Sequence, residues 1–98
     1  MTFEEFRASV AAGGEPPAEL SAPLRALWLD GKGDWAAAHR TVDDLETKAA
    51  ARVHAYIHRK EGDLDNARYW YRRAGAAPAT GSLESEWAEL VRALLVPA

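Results

Sequence analysis

The chain has no cysteine, so disulfides and thiolate metal sites are excluded. It has a single methionine, and no apolar run approaches the ~20 residues that a membrane-spanning helix needs. Its opening, MTFEEFRASV, is acidic where a secretory signal is basic and then apolar, so the expected location is the cytoplasm. Sustained apolar–polar alternation is missing, which removes the main signal for strands. There is no HExxH, nucleophile elbow, phosphate loop or dinucleotide fingerprint. GKGD at 31–34 has the glycines of a phosphate loop but neither its length nor a preceding strand. The expectation is a non-enzyme with no cofactor, no resident metal and no small-molecule substrate.

What is present is the composition of one globular domain, 1–98: 48% hydrophobic and 28% charged residues in a 98-residue chain. The net charge of −3 conceals a basic middle, with seven cations against three anions between residues 47 and 75, flanked by acidic ends. Such a pattern suits self-association or an acidic partner.

Alanine, leucine, glutamate and arginine dominate, and the stop and start signals of helices recur. Thr2-Phe3-Glu4-Glu5 is a capping box that starts a helix at Phe3, and Gly13-Gly14 ends it. Ala18–Leu29 has a helical stripe, with Ser21 as cap and Pro23 in the first turn of its main part. Asp34 caps Trp35–Leu45, Thr47 caps a helix from Lys48 to Lys60, and Asp63 caps one that runs to Ala74, before Gly75. Ser82 opens a last helix, about 83–95, with Pro97 beyond it. The tryptophans Trp28, Trp35, Trp70 and Trp87 each fall on an apolar stripe, and Leu64, Ala67, Trp70, Tyr71 and Ala74 share one helical face that reads as core.

ALWLDGKGDWAAAHRTV (26–42) aligns with AYIHRKEGDLDNARYWY (55–71) at a constant offset of 29 residues. Each unit is helix, Gly-Asp turn, helix, and small residues on the two arms (Ala26 with Ala38, Ala55 with Ala67) permit close approach. Neither pair can bury its faces alone, so the two are expected to stack. GDLDNARYWYRRAG resembles the second helix of a tetratricopeptide (TPR) or Sel1-like repeat through Gly62, Asp63, Ala67, Tyr71 and Ala74, with Pro78 near the family's post-helix proline. The first unit matches through Gly33, Asp34, Ala38 and Val42, although the 29-residue spacing is shorter than the family's own. The whole chain also resembles small bacterial proteins. The resemblance implies an all-α fold of two stacked TPR-like hairpins, about 22–45 and 48–75, flanked by an N-terminal helix and a C-terminal capping helix. It also implies a protein-interaction role.

Lys48, Arg52, Tyr56 and Arg59 lie along one side of their helix, and the last three match groove-lining positions of the repeat family. The leading expectation is therefore a non-catalytic module that offers these four residues to an acidic protein segment or to a second copy of itself. Histidines carry the alternative. His54 and His58 are four apart, a spacing that suits zinc or copper, and His39 on the preceding helix can add a third nitrogen. Packed, hydrogen-bonded structural histidines are the preferred reading, because no adjacent acidic residue completes a familiar ligand set. Arg68, Arg72 and Arg73, interleaved with aromatics, suggest nucleic acid, but the pI of 5.6 and the lack of a recognition motif argue against it.

Overall fold

The computed structural model describes residues 1–95, and among them the protein is all-α. Its helices are α1 (Phe3–Ala12), α2 (Ala22–Gly31), α3 (Trp35–Val42), α4 (Lys48–Glu61), α5 (Leu64–Ala74) and α6 (Leu83–Leu95). Pro97 lies outside the described residues. No described helix is long and apolar enough to cross a membrane.

Side-chain caps set most of the helix starts. Thr2 Oγ1 accepts from the Glu5 backbone at 3.1 Å while Glu5 Oε1 accepts from the Thr2 backbone at 2.8 Å, closing the capping box of α1. Asp34, Thr47, Asp63 and Ser82 accept from the backbone N–H three residues on. Ser21 makes no such bond, and α2 starts instead on a first turn that contains Pro23. Gly62 (φ 90°) ends α4 in the left-handed region, and the Gly62 and Asp63 N–H groups turn back to the Arg59 and His58 carbonyls. Three boundaries differ from expectation, α4 running one residue past Lys60 to Glu61. Helix α2 continues through Gly31, so only Lys32–Asp34 turn, and α3 stops at Val42, where the Asp43-Asp44 pair begins the turn into α4.

Helix α2 packs back on α3, and α4 on α5; α4 also touches α2, α3 and α6, whereas α1 and α6 close over α2. The middle of α4 is consequently buried on every side, from Val53 through Ile57. The main core gathers Phe6, Leu24, Leu27, Trp28, Val42, Val53, Ile57, Leu90 and Val91. Ala26, Ala38, Ala55 and Ala67 are all buried, which lets the arms of each pair approach closely. Leu64, expected in the core, is 53% exposed, because α5 packs only on α4 and its first residue overhangs that contact.

Candidate metal centre

Three histidines meet at the joint between the two helix pairs. His39 sits in the last turn of α3, and His54 and His58 stand one turn apart on α4. One ring nitrogen from each lies within 4.8 Å of the other two. His39 Nε2 and His54 Nε2 share a hydrogen bond of 3.0 Å, the packed, hydrogen-bonded arrangement expected of structural histidines. Asp43 Oδ1, one turn beyond His39, is 3.8 Å from His39 Nε2 and 4.0 Å from His54 Nε2. Ligand atoms on a tetrahedral zinc, at ~2.0–2.1 Å from the ion, stand about 3.3 Å from one another. The His39–His54–Asp43 triangle is thus close to one face of such a tetrahedron.

Aromatic rings hold the imidazoles in place. Trp70 stacks on His54 with centroids 4.0 Å apart, and Trp35 lies parallel to His39 at 5.3 Å. Trp35 is itself fixed, donating from Nε1 to the Ile57 carbonyl on α4 at 3.0 Å. The three imidazoles also contact each other, with centroids 4.8–5.2 Å apart.

Electrostatics favour a neutral His54 ring. Burial drives the His54 pKa down to about 4, the neighbouring His58 and His39 push the same way, and Asp43 opposes them. Neutral imidazole is the metal-binding form. Nδ1 of His54 and Nδ1 of His58 are buried without a hydrogen-bond partner among the described residues. An unpaired buried polar atom costs on the order of 1–3 kcal/mol, and because His54 faces His39 and Asp43 through Nε2, an ion held there would leave its Nδ1 unpaired. Glu61 Oε1 at 3.7 Å and Asp63 Oδ2 at 4.0 Å lie near His58 Nδ1 but beyond hydrogen-bond distance. Exposure is graded: His54 is 1% exposed, His58 12%, His39 25% and Asp43 54%, so the cluster is reached from solvent through Asp43.

The expected groove of Arg52, Tyr56, Arg59 and Lys48 does not form. Helix α6 covers that side of α4 and brings Glu86 into it, 2% exposed. Arg52 reaches Glu86 at 2.5 Å, Arg59 at 2.8 Å, and the Tyr71 hydroxyl donates to it at 2.6 Å. Tyr56 is buried and donates to Asp30 at 2.7 Å. Of the four, Lys48 alone remains on the exposed surface. The cations are consumed internally, as an unpaired Glu86 in the core would be far more costly than the pairs it makes.

The i,i+4 spacing of Asp43 from His39 is a local signal that puts both on one face. Trp70 was read as core and is also the platform beneath His54. Comparison of the chain with protein-family models, curated proteins and solved structures found no match.

Proposed function

We propose that this protein binds a divalent transition-metal ion, zinc first, through His39, His54 and His58 with Asp43 as the fourth ligand. The observation that carries the reading is that one ring nitrogen from each of three imidazoles lies within 4.8 Å of the other two, with the Asp43 carboxylate 3.8 and 4.0 Å from two of them. An all-imidazole and carboxylate set without thiolate suits zinc, copper or nickel and disfavours the softest ions. Four protein ligands make a closed shell, the arrangement of structural sites, so the role is binding and not hydrolysis. Because His39 and Asp43 belong to the first helix pair and His54 and His58 to the second, the ion would pin the pairs together. In this reading the pairs are TPR/Sel1-like hairpins, supported by the 29-residue repeat and by the packing of α2 on α3 and α4 on α5.

The test uses untagged protein, stripped with chelator and titrated with Zn²⁺ or Co²⁺. The expected result is one equivalent bound, with the intense visible bands of tetrahedral cobalt and a higher melting temperature. His39→Gln, chosen because its ring is partly exposed, should lose the bands while helicity persists, and Asp43→Asn should weaken binding about tenfold. A folded protein that takes up no stoichiometric metal would end the proposal.

A scaffold role keeps one observation in its favour. The outer face of α5 exposes Leu64 and Tyr69, at 53% and 41%, beside Arg68, Arg72 and Arg73. A protein partner would meet this surface and not the α4 face first expected.

A further inference from the structure

A second feature lies on the other side of α4. Residues 56 and 60 stand about 200° around the helix from 54 and 58, at 100° per residue. There α1, the end of α2, α4 and the start of α6 enclose an open cleft of about 550 Å³. Small-ligand sites occupy roughly 300–1,000 Å³.

One wall of the cleft is Trp87, whose Nε1 is fixed to the Leu27 carbonyl at 2.9 Å. The indole lies so close to α2 that a Cβ on Gly31 would come within 2.9 Å of its Cζ2. Val10 and Leu83 extend this apolar wall. The opposite chemistry centres on Asp30, which is 2% exposed. A carboxylate in the last turn of α2 has the wrong sign for the helix dipole and is buried besides. It is kept there by Tyr56, which donates to Oδ2 at 2.7 Å, and by Lys60, which donates to Oδ1 at 3.0 Å. Lys60 is thereby held at the cleft with its side chain 38% exposed and further N–H donors unspent. Arg7, also in the lining, makes no ion pair among the described residues and lies over the Phe3 ring at 5.8 Å. Glu84 is the other acidic lining residue; it stands exposed in the first turn of α6, where water and salt screen it.

We propose that this cleft binds a small amphipathic carboxylate, its acid group held by Arg7 and Lys60 and its hydrocarbon laid against Trp87, Val10 and Leu83. The Arg7 fork supplies paired donors and Lys60 a point charge, while Asp30 serves as the positioning residue that aims Lys60. Each half of the lining alone is unremarkable on a protein surface. Together, fixed by a costly buried carboxylate, they match an acid with a nonpolar tail.

Octanoate is the probe, with octanol and octylamine as controls, followed by chemical-shift changes at the Trp87 indole and the Gly31 amide. Saturable one-to-one binding of octanoate, but of neither control, is expected. Arg7→Gln, on an exposed side chain, should weaken it about tenfold. Ala11→Trp, which fills the cleft from an exposed position of α1, should abolish it. Circular dichroism verifies that both variants stay folded. The proposal is overturned by absent or non-saturable octanoate binding, by equal binding of octanol or octylamine, or by unchanged affinity in both variants.

Discussion

Glu86 is the residue on which the most polar structure depends. Its two oxygens receive Arg52, Arg59 and Tyr71, and with 2% exposure it has no recourse to water. Removing one partner of a buried ionic group typically costs about 3–5 kcal/mol, because the remaining charges stay desolvated and unpaired. Glu86→Ala should therefore lower the urea midpoint by a large part of the total stability, ~5–15 kcal/mol for a domain of ordinary stability. Glu86→Gln should lose less, since it keeps the shape and one acceptor. A midpoint unchanged in Glu86→Ala would mean that the two arginines are free, and would restore the groove reading. None of these pairings was legible beforehand, because Glu86 lies 34 residues from Arg52 and 27 from Arg59. No local pattern spans such distances. The histidines were legible as candidates through their spacing on α4, whereas their meeting with His39 and Asp43 depended on how α3 crosses α4.

The helices themselves were readable because their signals are local. A capping oxygen acts three residues away, and a left-handed glycine acts on the turn it ends. The misplaced boundaries at Gly31 and Val42 fall where a glycine or an apolar residue is equally compatible with helix or turn and packing decides. Helix α5 shows the limit of pattern: Ala67 and Tyr71 are buried as the stripe predicts, but Leu64 on the same stripe is exposed. Denaturation should separate the two kinds of information. Gly62→Ala forces a Cβ into the left-handed region and should cost about 1–2 kcal/mol. Leu64→Lys should stay within about 0.5 kcal/mol of wild type. A loss above that range would show that Leu64 is covered, for instance by a second copy on the outer face of α5.

For the molecule as a whole, the buried tyrosines set an alkaline limit on stability. Burial first, then hydrogen bonding to Glu86, raises the Tyr71 hydroxyl to about 12, and burial beside Asp30 raises Tyr56 further. Both groups ionise later in the folded chain than in the unfolded one. Their contribution is therefore complete below pH ~10 and is lost as the pH climbs through the folded-state values. Melting temperatures should fall above pH ~10, and Tyr71→Phe should remove part of that slope, on the order of 2 kcal/mol between neutral and strongly alkaline solution. An identical slope in the variant would place the alkaline sensitivity elsewhere, in the lysines for example.

Composition, capping and the repeat were enough to specify an all-helical chain and where nearly every helix begins. Each of those effects acts within a few residues and needs no knowledge of the neighbours. Which faces meet was settled by packing: helix α6 closing on α4 converted an apparent binding surface into an internal ion cluster. The packing of α3 on α4 likewise brought His39 to 3.0 Å and Asp43 to 4.0 Å from His54. Charge and metal-ligand chemistry operate over a few ångströms in space, and separations along the chain carry no measure of that distance until the helices have docked.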